Sequence, residues 1–260
     1  MNVCKKIEYK RYSDFIQYAA DNNCGKVYPL SVSQGFQYGD IFTYSANNCE
    51  AVLFWHYCGF AYLAGKIDEA FLEDVYKLML NRNNTNSRRF ILMTNDEETE
   101  NFFRSKDDVC IDRRYLFEYT EKQSPAIPIM PSGFEIKEIN SELLSAIHGG
   151  IVPSLFWESS ENFLKKGKGY CILEGSSIAA WAFSAAVSDS EIDIGIETAE
   201  NYRGRGLAAT AAKMMIKYAF DVGKSPVWAC HCNNAASKRL AEKIGFTKIS
   251  ECSIIKTQQI

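Results

Sequence analysis

The sequence predicts a mixed α/β fold, of the α+β kind, built in two halves around a stiff connector. Three observations predict it. Strand-like and helix-like stretches follow one another in the order strand, helix, strand, helix, strand over residues 51–119, and the same order returns over 191–256. Pro125, Pro128 and Pro131, followed by Gly133, stand between the two runs, and prolines at that density make an extended, stiff chain. In the second run a glycine-bearing turn, Tyr202-Arg203-Gly204-Arg205-Gly206-Leu207-Ala208, links a strand-like stretch, Ile192–Ile196, directly to a helical one. The expected organisation is an N-terminal α/β domain over 1–120, a linker over 121–133 and a second domain over 134–260.

In the first half, Asp14–Ala20 reads as a helix, and Pro29 and Gly35 read as turns. The aromatic-rich run Ala51–Leu63 reads as two short buried strands bent at Gly59. Asp68 can cap the next helix, in which Ala70, Phe71, Val75, Leu78 and Met79 recur at helical spacing. Asn81–Asn86 reads as a polar loop, Arg89–Thr94 as a strand, Glu97–Arg104 as a helix and Cys110–Tyr119 as a strand. In the second half, Phe134–Ile139 alternates apolar and charged residues as a half-buried strand does. Glu142–His148 reads as a helix stopped by Gly149-Gly150, and Phe156–Leu164 as a second short helix. Tyr170–Leu173, Ile178–Ser184 and Glu191–Thr198 read as successive strands, and Val227–Cys232 as a strand running into a helix opened by Asn233 or Asn234.

The 260 residues are 47% hydrophobic and 23% charged with a net charge of −3, so no basic field draws the chain to nucleic acid or an anionic membrane. No apolar run reaches the length of a membrane span, and the first residues include Glu8 before any apolar core, unlike a secretory signal. Nine scattered cysteines read as reduced thiols, so the expected location is cytoplasmic. Cys230-His231-Cys232 raises the idea of a metal. In a strand, however, the two cysteines face away from the histidine, and no second ligand pair follows, so no metal is expected.

The glycine turn builds an anion site. Glycines let the backbone approach a ligand closely, and the first amides of a helix lack internal partners. With the helix dipole they suit a pyrophosphate, and Arg203 and Arg205 add forked positive donors. The turn fits Arg/Gln-x-x-Gly-x-Gly/Ala and resembles the acyl-CoA pyrophosphate loop of the GCN5-related N-acetyltransferases (GNAT). Asn233 to Phe246 is similar to that family's next block, Asn-x-x-Ser/Ala-x-x-Leu-x-x-Lys-x-Gly-Phe. The layout is also similar to the family around the zwittermicin-resistance acetyltransferase.

The resemblance implies a GNAT fold in the C-terminal half and a degenerate GNAT-like repeat in the N-terminal half. In the first half the loop position is held by Gly65-Lys66-Ile67-Asp68-Glu69-Ala70, whose carboxylates repel a pyrophosphate, so that half is expected to form a substrate wall without coenzyme. The implied cosubstrate is acetyl-CoA, held by the loop residues Arg203, Gly204, Arg205, Gly206, Leu207 and Ala208. The strand edge at Ile196 and Thr198, with Asn234 and Ser237, completes the set. Asn234 can equally be a helix N-cap and Ser237 can bond its own helix.

Acetyl transfer needs positioning and proton transfer. Glu197 and Asp193 are the candidate bases, with Gly195 between them leaving room for a ligand; the alternative is that they are solvated or pair with Arg203 and Arg205. His231 is a further candidate, and Glu158 and Glu161 are others that rank behind Glu197 and Asp193. Many relatives carry a tyrosine right after the leucine as proton donor; this chain has Ala241, so the donor is the Ser237 hydroxyl, a tyrosine from elsewhere or water, or the thiolate leaves unassisted. The expected activity is acetylation of a small-molecule amine, an amino-bearing antibiotic or related metabolite. The alternatives are a protein or peptide amine, or a non-catalytic acyl-CoA sensor. The oligomeric state is not readable.

Overall fold

A computed structural model describes residues 4–46, 49–80, 88–127 and 129–257. The loop expected over Asn81–Asn86, the linker's Pro128 and the first three residues lie outside the described residues. Contacts divide the chain into two units. One runs up to Leu116 and includes His231–Asn233 and the residues from Ser250 onward; the other holds Phe117–Cys230 and Asn234–Ile249.

The first unit contains β1 (Lys5–Lys6), a 3-10 turn (Tyr9–Phe15), α1 (Ile16–Ala20), α2 (Val27–Ser33), β2 (Gly39–Ala46), β3 (Cys49–His56), β4 (Phe60–Gly65), α3 (Glu69–Leu80), β5 (Ile91–Thr94) and α4 (Glu97–Arg104). It also holds most of β6 (Val109–Tyr119) and the end of β12 (Phe246–Thr257). β2, β3 and β4 form an antiparallel meander, and β5 then lies parallel to β4, with Phe60–Tyr62 opposite Ile91–Met93. Ser253–Ile255 of β12 pair antiparallel with β5. The bend at Gly59 has φ of 93°, and a Cβ there would meet the Arg89 carbonyl oxygen at 2.4 Å. Asp68 caps α3 as expected, accepting from the Phe71 amide at 2.8 Å. That helix buries Phe71, Leu72, Val75 and Met79 against Leu53, Trp55, Leu63 and Phe103.

Two elements of the first unit differ from the sequence reading. Pro29 does not mark a turn; it is the third residue of α2, ahead of that helix's first internal bond, Leu30 N–H to Lys26 O at 2.9 Å, where a missing amide costs nothing. β2 has no counterpart in the sequence reading; it carries Asp40, which is 3% exposed. Asp40 is buried by its ion pair with Arg88, whose guanidinium also lies 4.1 Å from the Trp55 ring centre. Close by in the same sheet, His56 is buried, and burial followed by the Arg88 charge pushes its imidazole down from 6.5 to about 3. It stays neutral, with Nδ1 accepting from the Cys58 amide at 3.1 Å.

The second unit contains β7 (Phe134–Glu138), α5 (Ser141–Ala146), a 3-10 turn (Pro153–Leu155), α6 (Ser160–Lys166), β8 (Gly169–Glu174), β9 (Ser177–Val187), β10 (Glu191–Thr198), α7 (Leu207–Asp221), β11 (Ser225–His231, to Cys230), α8 (Ala235–Lys243) and the start of β12. Its strands follow the order β11, β10, β9, β8, β7. The run from β7 to β10 is antiparallel, and β11 is parallel to β10. The expected order of strand, two helices and three strands ahead of the loop therefore holds. α6 begins at Ser160 and not at Phe156, because Ser159 caps it and Trp157 is tied by its indole N–H to the Ser184 carbonyl at 2.8 Å. α7 buries Leu207, Ala211, Ala212, Met215, Ile216 and Ala219. Each unit thus carries an antiparallel meander leading into a parallel pair bridged by a helix.

Candidate active site

The turn before α7 is built by two glycines in the left-handed region, Gly204 at φ 80° and Gly206 at φ 78°. Neither would meet another atom within 4 Å through an added Cβ, so the backbone lies open on its outer side. The first internal bond of α7 is Thr210 N–H to Gly206 O at 3.3 Å; the amides of Leu207, Ala208 and Ala209 precede it, with no acceptor in a preceding helical turn. The two arginines are held only loosely. Arg203 Nη1 lies 3.9 Å from Glu200, and Arg205 Nη1 lies 3.9 Å from Glu174 while its guanidinium rests on the Tyr202 ring at 5.2 Å. Exposed pairs at that distance contribute little and yield readily to a polyanion.

β10 and β11 pair only through Glu191–Asp193 opposite Ser225–Val227. β9 accompanies β10 through to Thr198. The stretch from Gly195 to Thr198, including Ile196, therefore has its neighbour on one side alone, and its other backbone edge opens beside the α7 turn. Gly195 is not a gap for a ligand: the Phe183 ring fills the space, 2.7 Å from where a Cβ would stand. That correction follows from the register, in which Gly195 lies directly opposite Phe183 on β9.

The two candidate carboxylates differ. Asp193 is 5% exposed, next to a bulge where the β9 register shifts. Glu197 is half-buried, and its Oε2 accepts from the Ile151 amide at 2.6 Å. The Ile151 carbonyl in turn accepts from the Trp181 indole at 2.8 Å, and Trp181 faces Glu197 across the sheet. Oε1 of Glu197 has no hydrogen-bond partner among the described residues. Gly149 completes this clamp, since a Cβ there would stand 2.6 Å from Glu197 Oε2 and 2.7 Å from the Trp181 ring. In the sequence Gly149 reads as a helix stop; its steric role depends on a partner 48 positions away and leaves no local signal.

Asn234 is the N-cap of α8, its Oδ1 accepting from the Ser237 amide at 3.0 Å. The Ser237 hydroxyl accepts from the Trp228 indole at 3.0 Å, which leaves its own proton free to donate. Ala241 is fully buried, so its side chain faces packing. His231 has both ring nitrogens engaged. Nδ1 accepts from the Asn233 amide at 3.1 Å, and Nε2 faces Asp112 at 3.4 Å. Lys256, 3.2 Å away, and then His231 hold the Asp112 carboxyl below its ordinary range. Glu158 bonds Asn162 through Oε1, while its Oε2 is buried with no partner among the described residues.

A family model described as GNAT acetyltransferase matches residues 23–255. The chain is 30% identical over 174 residues to the Bacillus subtilis (strain 168) protein named uncharacterized N-acetyltransferase YdfB, an overlap of 65% of this chain and 66% of that one. It thus spans about two thirds of that relative's length. Among solved structures it is similar to a GCN5-related N-acetyltransferase-like protein from Streptococcus suis 89/1591, with a TM-score of 0.72, 21% identity and coverage of 96% of this chain and 100% of that one. It is also similar to a tandem GNAT protein from the clavulanic acid biosynthesis pathway, with a TM-score of 0.62, 9% identity and coverage of 99% and 98%. Both likenesses concern the fold.

Proposed function

The chain belongs to the GNAT acetyltransferase family, and from that premise we propose that it transfers an acetyl group from acetyl-CoA to an amine of a small molecule. The observation that carries this reading is the open left-handed turn at Gly204 and Gly206 beside the free edge of β10. The amides of Leu207, Ala208 and Ala209, with Arg203 and Arg205, suit a pyrophosphate, and the backbone at Ile196 and Thr198 suits an extended amide-bearing arm. Bound acetyl-CoA supplies the thioester. An acceptor amine forms the new C–N bond to the acetyl carbon, the C–S bond breaks, and CoA leaves as the thiolate.

In this reading Glu197 takes the amine proton through Oε1 while Oε2 stays on the Ile151 amide. Ser237, whose hydroxyl accepts from the Trp228 indole and keeps a proton to donate, is the group we assign to meet the thiolate, because buried Ala241 offers no donor. A thiolate is a fair leaving group without one, the thiol pKa being about 8.5. The acceptor we propose is an amino-bearing antibiotic or related metabolite, in line with the zwittermicin-resistance type of layout. The proposed setting is the cytoplasm, which suits the free thiols of the described cysteines.

The test is release of CoA thiol from acetyl-CoA that depends on an added amine, across a panel of amino-bearing small molecules. Release with peptide amines alone would move the acceptor to a protein. Tight acetyl-CoA binding with no release on any amine would make the chain a sensor.

A further inference from the structure

The first unit repeats the geometry of the second at a place with different chemistry. β4 and β5 are parallel and pair only over Phe60–Tyr62 opposite Ile91–Met93, after which they part, as β10 and β11 do. A cleft of about 370 Å³ lies where they part, lined by Leu63–Gly65 and Met93–Asp96 and closed by the α1–α2 connection from Asp21 to Cys24. In open α/β sheets such a crevice beyond the carboxyl ends of parallel strands is the place where ligands bind, and the volume falls in the range of small-molecule sites.

The lining decides what can enter. Among the described residues no lysine, arginine or histidine lines the cleft, whereas Asp21 and Asp96 both do. The N-terminus of the adjacent α3 is already satisfied by Asp68, so the phosphate site of the second unit has no counterpart. Each lining carboxylate uses one oxygen internally. Asp21 accepts from Gln17 Nε2 at 2.9 Å and Asp96 from the Thr99 amide at 2.7 Å. The other oxygen of each has no partner among the described residues. Leu63, Ile67 and Met93 supply an apolar side of the same cleft.

We propose that this cleft is a second ligand site, separate from the coenzyme loop, that takes a small molecule bearing a protonated amine on an alkyl body. The carboxylate oxygens of Asp21 and Asp96 receive the ammonium, and the apolar side receives the alkyl chain. Phosphates and carboxylates are repelled.

Calorimetry on the full-length chain tests it, with 1,4-diaminobutane and butylamine as probes and butyrate and inorganic phosphate as controls. Saturable one-to-one amine binding is expected in the wild type and unchanged in Gly206→Glu, which alters only the coenzyme loop. Asp21→Lys and Asn95→Lys, at exposed positions of the cleft, are expected to weaken it at least about tenfold by like-charge repulsion while the unfolding midpoint holds. The proposal is overturned if neither amine binds. It is equally overturned if amine binding survives both lysine variants, if it is lost in Gly206→Glu, or if butyrate or phosphate binds in the cleft. Because Gly206→Glu separates the two sites, failure here leaves the acetyl-transfer reading standing.

Discussion

Glu197 is the residue whose substitution separates two roles that its geometry combines. Its Oε2 holds the Ile151 amide and its Oε1 is open, so it can position the Gly149–Ile151 segment, accept a proton, or do both. Glu197→Gln keeps an oxygen that can accept from Ile151 N–H but has no basicity. The neutral bond is weaker than the charge-assisted one by about 1 kcal/mol, a change too small to displace the segment. Glu197→Ala removes both functions. A general base contributes roughly a hundredfold or more, so Glu197→Gln should lower kcat by about that factor with the KM for acetyl-CoA nearly unchanged. Glu197→Ala should be no better. The assay is steady-state thiol release with a competent amine, alongside the unfolding midpoint of each variant. If Glu197→Gln retains wild-type kcat and only Glu197→Ala falls, Glu197 is a positioning residue and the base lies elsewhere, with Asp193→Asn the next variant to measure.

Three further outcomes follow from the same geometry. Ala241→Tyr should lower stability by roughly 1–3 kcal/mol in urea unfolding, because the position is fully buried; a neutral effect would mean that the helix face is open and the ring has room. The wild type should turn over without that tyrosine, which single-turnover acetyl transfer to a competent amine measures directly. His56 should make folding acid-sensitive: its folded imidazole titrates near 3, while the unfolded chain takes up a proton below about 6.5. Its stability contribution is complete above that value and is lost as pH falls toward 3. The wild type should therefore lose roughly 1.5 kcal/mol more than His56→Asn between pH 6.5 and 5.0, and parallel urea curves would contradict it.

Local signals carried far in this chain. The capped helices α3 and α4, with Asp68 and Asp96 before them, and the glycine turn before α7 declare themselves within a few residues. What stayed hidden depends on partners distant in sequence. In β2 the burial of Asp40 depends on Arg88, 48 positions on, and no spacing announces that pair. Gly195 reads as open space because Phe183 arrives from the next strand. The Ile151–Glu197–Trp181 clamp joins three segments, and no spacing announces it. β12 looks like a plain closing strand of the second half. Ser250 onward belongs to the first unit, however, since Ser253–Ile255 pair with β5.

In the proposed function the turn at Gly204–Ala208 holds the pyrophosphate of acetyl-CoA. Calorimetry of acetyl-CoA against wild-type protein and Gly206→Glu tests it most directly. The substitution places a carboxylate at a left-handed, exposed position beside the amides of Leu207, Ala208 and Ala209, far from the packed side of α7. One coenzyme bound per wild-type chain is expected, with affinity reduced by at least about a hundredfold in Gly206→Glu through anion repulsion and loss of the turn. Equal affinity in the two proteins would remove the loop from the coenzyme site.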